Sequence, residues 1–200
     1  MDVKGILNKN DFVFKKKFGQ NFLLDHNILN NIVELGNITK DTLVIEIGIG
    51  AAALTKKVSE KAGAVLGYEI DVTLKEPLKE ILKDKTNVNI IFDDFLNRDL
   101  KEDLKDYNYD EIIVVANLPY YITTPIITKF IDEKIDVSRI IVMVQNEVAD
   151  RFAATTGSKN YNSLTIFLNY YFNIKKAFFV RDRNYSAYDY RGNGSSGKRL

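Results

Sequence analysis

The sequence predicts an α/β fold, a mostly parallel sheet with helices on both faces and an antiparallel hairpin at its C-terminal end. Three observations carry this. From residue 43 onward, short apolar runs alternate with longer amphipathic stretches. The runs are about five or six residues long and rich in Val, Ile and Leu, as befits strands buried on both faces. Two aromatic-rich segments then lie close together near the end of the chain, a spacing that suits a hairpin.

Each element follows from its local pattern. Upstream of the alternation, Ile28, Leu29, Ile32, Val33 and Leu35 recur at helical spacing, so His26–Leu35 is predicted as a helix packed across the sheet and stopped by Gly36. Strands are predicted at Leu43–Ile47, Ala64–Glu69, Val88–Phe92, Ile112–Ala116 and Arg139–Val144, with helices between them at Ala52–Lys61, Val72–Lys83, Thr124–Glu133 and Glu147–Ala154. Ser163–Phe172 and Lys175–Val180, separated by the short Asn173–Ile174 step, are the predicted hairpin. After Val180 the chain reads RDRNYSAYDYRGNGSSGKRL, with almost no aliphatic side chains, which predicts a loop or flexible tail. The expected organisation is a basic segment over 1–22, one folded domain over 23–180 and a tail over 181–200.

Composition narrows the chemistry. Two hundred residues at 46% hydrophobic and 28% charged fit one globular domain. No apolar run approaches the roughly 18 residues of a spanning helix, so no membrane partner is expected. The absence of cysteine excludes disulfides, thiolate metal sites and a cysteine nucleophile. His26 is the single histidine and follows Asp25 at a helix start, where a cap or surface role is the simpler reading; no metal centre is expected. The N-terminus, MDVKGILNKNDFVFKKK, lacks the order of charge and apolar core of a cleavable signal, which points to the cytoplasm. Both ends are basic, with five lysines against Asp2 and Asp11 in residues 1–22, while the body between the ends is acidic. Such ends can hold a phosphate backbone, although solvated lysines would look the same.

Two segments carry the chemistry. In LVIEIGIGAAALT, Gly48 and Gly50 lie between a predicted strand and helix, where the backbone turns sharply and can approach a ligand. Glu69 lies 21 residues past Gly48, at the end of the next strand, where a carboxylate can accept both hydroxyls of a ribose. This pattern fits NAD and S-adenosylmethionine alike, and also a purely structural turn. The second segment is NLPYY, at the carboxyl end of a strand where open parallel sheets bind ligands. Asn117 offers a carboxamide oxygen, Pro119 holds the carbonyl of Leu118 exposed in an extended conformation, and Tyr120 offers an aromatic face. Two acceptors and an aromatic ring suit an exocyclic amine on a base taken out of its stack. A hydride-transfer site has no evident use for them.

Together the stretches KKKFGQNFL, VIEIGIGAAALT, YEID, DDFL, NLPYYITTPII and MVQNEVADRF, in this order and spacing, resemble the small-subunit ribosomal RNA adenine dimethyltransferases over about Phe14 to Val180. The resemblance implies a Rossmann-like class I methyltransferase fold that uses S-adenosylmethionine to dimethylate the 6-amino groups of adjacent adenosines in small-subunit ribosomal RNA. It implies that Gln20, Asn21 and Leu23 border the methionine end of the cofactor and that Gly48 opens the glycine turn. It further implies that Glu69 takes the ribose, Asp94 the adenine amino group, and Asn117 the region where cofactor and target amine meet. A carboxylate such as Asp94 can equally cap the segment that follows it. The implied partner is small-subunit RNA or its precursor particle, met by a monomer.

Several positions depart from the family pattern. Ile49 stands for the usual proline of the turn and Ala52 for its third glycine, so reduced cofactor affinity is expected; Asp93 stands where glycine usually precedes the acid. The proline-rich loop expected after the last aromatic strand is replaced by Arg181–Tyr190, where Tyr185, Tyr188 or Tyr190 could supply the aromatic group over the target base. The family continues into a small helical domain, and the sequence as given reads as the catalytic domain without it. Three alternatives remain open: a non-catalytic RNA- or ribosome-binding assembly factor, a large-subunit methyltransferase of the macrolide-resistance type, and, last, an NAD-dependent oxidoreductase.

Overall fold

The computed structural model describes residues 25–117, 119–180 and 185–192, with Tyr120, Val180 and 185–192 described as backbone. Its elements in chain order are α1 (His26–Gly36), β1 (Thr42–Ile47), α2 (Ala53–Ser59), β2 (Ala64–Tyr68), α3 (Lys75–Ile81), β3 (Val88–Ile91), α4 (Leu100–Leu104), β4 (Glu111–Asn117), α5 (Tyr120–Asp132), β5 (Arg139–Gln145), α6 (Asn146–Phe152), α7 (Ser163–Tyr171), β6 (Phe172–Val180) and β7 (Tyr185–Gly192). Short 3-10 turns follow β2 at Val72–Leu74 and β3 at Phe95–Asn97.

One seven-stranded sheet runs in the order β3-β2-β1-β4-β5-β7-β6. Strands β1 to β5 are parallel, and β7 is antiparallel to both β5 and β6. The chain works outward from β1 to β3 and then returns to β4 on the other side of β1. The carboxyl ends of β1 and β4 therefore flank the point where strand order reverses, the place at which open α/β sheets bind ligands.

The period of two along a strand divides the core between two faces. On β1, Leu43, Ile45 and Ile47 join Ile112 and Val114 of β4 and Ile126, Ile127 and Phe130 of α5. The intervening Val44 packs on the opposite face with Ile113, Val115, Ile141 and Met143, under Leu29, Ile32 and Val33 of α1 and Leu54 and Val58 of α2. The predicted packing of the first helix across the sheet is observed. That helix starts at Asp25, whose Oδ1 accepts the Asn27 amide at 2.8 Å, and ends in a left-handed Asn37 (φ 51°). His26 is exposed in its first turn.

The predicted strands β1 to β5 match to within one residue. Two expectations near the C-terminus are corrected. Ser163–Phe172 is not a strand: Ser163–Tyr171 is the helix α7, and only Phe172 belongs to β6. Its start is fixed by a capping box, in which Asn162 Oδ1 accepts the Leu164 and Thr165 amides and Thr165 Oγ1 accepts the Asn162 amide. Leu164, Leu168 and Phe172, four residues apart, all pack on the core. The second correction concerns the tail, because 185–192 form β7, inserted between β5 and β6 with both of its edges paired. The C-terminal hairpin therefore exists, built from β6 and β7. Residues 1–24, 181–184 and 193–200 lie outside the described residues.

Candidate ligand site at the carboxyl edge of the sheet

The turn after β1 has three left-handed residues, Gly48 (φ 79°), Gly50 (φ 56°) and Ala52 (φ 58°). Glycine adopts this conformation freely, whereas an alanine there costs roughly 1–2 kcal/mol. Ala52 accepts that cost while fully buried against Leu74 and Leu78 of the neighbouring α3 region. Its carbonyl accepts the Lys56 amide at 3.0 Å, opening α2. Ile49 turns inward over Gly67 of β2: a Cβ on Gly67 would lie 2.4 Å from Ile49 Cδ1.

Glu69, immediately after β2, is 5% exposed and holds the turn from the side. Its Oε2 accepts the Gly50 amide and its Oε1 the Asp71 amide, each at 2.9 Å. Burial pushes its carboxyl above the ordinary value, while the two backbone donors pull it down. Each oxygen retains a lone pair for a ligand hydroxyl. Asp71 in turn caps the following 3-10 turn, its Oδ1 accepting the Thr73 amide and hydroxyl. Beside Glu69, Ile70 and Val72 stand 47% and 62% exposed, leaving apolar surface at the mouth of the site.

Glu46 was not among the residues singled out by sequence, and the structure brings it to the same edge. It is 2% exposed, and among the described residues its Oε2 has no hydrogen-bond partner. Burial lifts its carboxyl to about 8, with Thr55 opposing and the charge of Glu69 reinforcing the shift. The available signal was an acid inside TLVIEI, a strand otherwise suited to complete burial.

Parallel pairing of β1 with β4 places Ile47 opposite Ala116, so Gly48 and Asn117 are the next residues on adjacent strands. Asn117 closes β4 and is half-buried. Pro119 (φ −58°, ψ 143°) is extended, and α5 begins at once with Tyr120, four residues earlier than predicted. The carbonyl of Pro119 accepts the Ile122 amide at 3.3 Å. Asp94 lies three residues past the end of β3, on the same edge as Glu69, whose amide donates to Ile91 at 3.0 Å. Asp94 Oδ1 accepts the Leu96 amide, so the capping reading holds for one oxygen; among the described residues, Oδ2 has no donor. Glu46, Gly48, Gly50, Glu69, Asp94 and Asn117 thus gather at one edge. Gln20, Asn21, Leu23 and Leu118 lie outside the described residues, and for Tyr120 only the backbone is described. No group of three or more metal-ligating side chains occurs among the described residues.

Strand order 3-2-1-4-5-7-6 with an antiparallel β7, a glycine turn after β1 and an acid after β2 define a Rossmann-like class I S-adenosylmethionine-dependent methyltransferase fold. The solved structures agree: a dimethyladenosine transferase from Plasmodium falciparum superimposes with a TM-score of 0.75 at 25% identity, over 86% of this chain and 64% of that one. The 23S rRNA methyltransferase ErmE does so with a TM-score of 0.72 at 23% identity, covering 86% and 70%, a likeness of fold. The chain belongs to the ribosomal RNA adenine dimethylase family, whose model matches residues 11–186. It is 48% identical over 179 residues to the ribosomal RNA small subunit methyltransferase A of Streptococcus thermophilus, and 46% identical over 189 residues to that of Bacillus licheniformis. These matches cover 88% and 90% of this chain but 62% and 65% of the relatives, so the chain spans less than two thirds of their length.

Proposed function

We propose that this chain binds S-adenosylmethionine and methylates the 6-amino group of adjacent adenosines in small-subunit ribosomal RNA, twice on each. The observation that carries this reading is the strand register that sets Asn117 of NLPYY beside Gly48 of the glycine turn. A base amine and a cofactor methyl must meet at one point, and this is where their expected sites adjoin.

The residues present fit such a cofactor. A buried carboxyl oxygen with no partner among the described residues, at Glu46, suits a ligand that donates hydrogen bonds. Glu69 holds the ribose hydroxyls, Asp94 accepts the adenine amino group, and Ile70 offers apolar surface to the purine. Gly48 and Gly50 let the backbone come close, while Gln20, Asn21 and Leu23 border the methionine end. When bound, the cofactor supplies a sulfonium methyl already activated toward attack.

What the chain adds is alignment and desolvation. Asn117 and the carbonyl of Leu118 accept hydrogen bonds from the target amine and direct its lone pair, Pro119 fixes that carbonyl, and Tyr120 stacks on the base. No histidine or cysteine is needed, since the proton leaves the amine after transfer. The substrate is small-subunit RNA in a precursor particle, met in the cytoplasm by a monomer with basic ends. Among the described residues no helix is long and apolar enough to cross a membrane.

The test is methyl transfer to undermethylated small-subunit particles, read as N6,N6-dimethyladenosine. Asn117→Ala is expected to lower transfer by roughly a hundredfold or more, with RNA binding retained. RNA binding without any transfer by the unaltered chain would favour the assembly-factor reading.

A further inference from the structure

Asp93, which departs from the family pattern, is tied into a network that the reading above leaves without a role. Its Oδ1 accepts the Asp94 amide at 2.8 Å, and its Oδ2 takes Nη1 of Arg98 at 3.3 Å. Arg98 reaches the other way with a two-pronged grip on Asp103 of α4, Nε to Oδ2 at 3.1 Å and Nη2 to Oδ1 at 2.6 Å. Paired N–H bonds of this kind fix orientation as well as distance. Asp103 is itself anchored, because its side chain is 4% exposed and its Oδ2 also accepts the hydroxyl of buried Tyr68 at 3.0 Å. Tyr68 packs edge-on against Phe95, ring centroids 5.0 Å apart, and Phe95 against Phe130 at 5.5 Å. Asp94 is therefore gripped on both sides. Its predecessor is bound through Arg98 to α4, and its successor is wedged into the aromatic core. Between these anchors the Leu96 amide holds Oδ1, leaving Oδ2 as the oxygen without a described donor.

We propose that Arg98, acting through Asp93, is a positioning residue that sets the orientation of the Asp94 carboxylate and with it the site's preference for a 6-amino over a 6-oxo purine. This rests on the proposed contact between Asp94 and the adenine amino group. A carboxylate accepts from an amino group and repels a 6-oxo oxygen, but it discriminates only when held at one angle. A carboxylate free to turn away would tolerate either group. The lysine of Arg98→Lys can reach one aspartate but cannot reproduce the planar fork.

The experiment is calorimetric titration of the full chain with S-adenosylhomocysteine and with S-inosylhomocysteine, which carries a 6-oxo group in place of the amine. The unaltered chain is expected to prefer the adenine form at least tenfold, and Asp94→Asn to abolish that preference. Arg98→Gln should reduce the preference at least threefold, mainly by weakening the adenine form. Asp93→Gly, an exposed change that leaves the grip on Asp103 intact, should give a similar loss, and Arg98→Lys should restore only part of it. A preference that stays intact in both Arg98→Gln and Asp93→Gly overturns the proposal, as does an equal weakening of both ligands, which would mark Arg98 as structural. If Asp94→Asn itself leaves the preference unchanged, or the unaltered chain shows none, the contact between Asp94 and the amine is wrong and the proposal falls with it.

Discussion

Glu69 Oε2 accepts the amide of Gly50 at 2.9 Å, so the acid after β2 and the glycine turn after β1 form a single hydrogen-bonded unit. Two features that the sequence places 19 residues apart are therefore parts of one device. Its second oxygen holds the Asp71 amide, which extends the unit into the turn leading to α3. Substitution at Glu69 should accordingly be felt in stability as well as in ligand binding. In Glu69→Gln the carboxamide turns a donor toward one of these two amides, leaving a buried N–H unsatisfied at a cost of about 1–3 kcal/mol. Urea denaturation without ligand measures it, and unchanged stability would contradict the bridge.

Glu46 predicts a pH dependence with a definite sign. Its carboxyl lies at about 8 in the folded chain and at an ordinary 4.5 when unfolded. Between these values the folded state holds the extra proton, so its contribution is complete below about pH 4.5 and is lost as pH rises toward 8. The slope is at most about 1.4 kcal/mol per pH unit. Glu69 is shifted in the same direction and should leave a smaller residual slope. Glu46→Gln is expected to flatten the profile and to be more stable than the parent at pH 8. Denaturation midpoints at pH 5, 6, 7 and 8 check this; parallel profiles for the two proteins would refute it.

The pairing of Ile49 with Gly67 predicts a coupled response. Gly67→Ala forces its methyl against Ile49 Cδ1 and should cost about 1–3 kcal/mol. Ile49→Val removes that terminal methyl and alone should cost about 0.5–1.5 kcal/mol. The double variant should be more stable than the sum of the two losses predicts, because the smaller side chain makes room for the larger one. A double-mutant cycle by chemical denaturation gives the coupling, and strict additivity would contradict the contact.

Asn162 caps α7 through two backbone amides. Asn162→Ala should therefore cost about 1 kcal/mol, read as a lower thermal midpoint, while leaving ligand affinity within error. A loss of affinity would show that α7 communicates with the site.

How much of this was legible in the sequence depended on what fixes each element. Strands β1, β2, β4 and β5 were readable because burial on both faces demands near-continuous apolar residues, which is itself the signal, whereas β3, a half-buried edge strand, was readable from its Val and Ile content. Gly48, Gly50 and Glu69 were readable because turn geometry and a buried acid restrict the residue types allowed. The helix α7 was misread because SLTIFLNYY is rich in residues that favour strands, and its identity rests on the Asn162–Thr165 capping box and a core stripe four residues apart. Thr165 is buried there, its hydroxyl donating to the Arg151 carbonyl at 3.0 Å. Strand β7 was invisible for a different reason. Its residues lack an aliphatic run, and its place comes from pairing with β5 on one side and β6 on the other, a tertiary effect that local composition does not encode. Arg98 also could not be singled out, since its meaning lies in contacts with Asp93 and Asp103 on different elements.

The most direct measurement is calorimetric titration of S-adenosylmethionine and S-adenosylhomocysteine into the purified chain, with Glu69→Ala as control and NAD as competitor. Binding near the micromolar range, about −8 kcal/mol, weakened at least tenfold by Glu69→Ala and indifferent to NAD, is the predicted result. An absence of heat at high ligand concentration, or displacement by NAD, would contradict the assignment of this edge of the sheet to a methyl-donor cofactor.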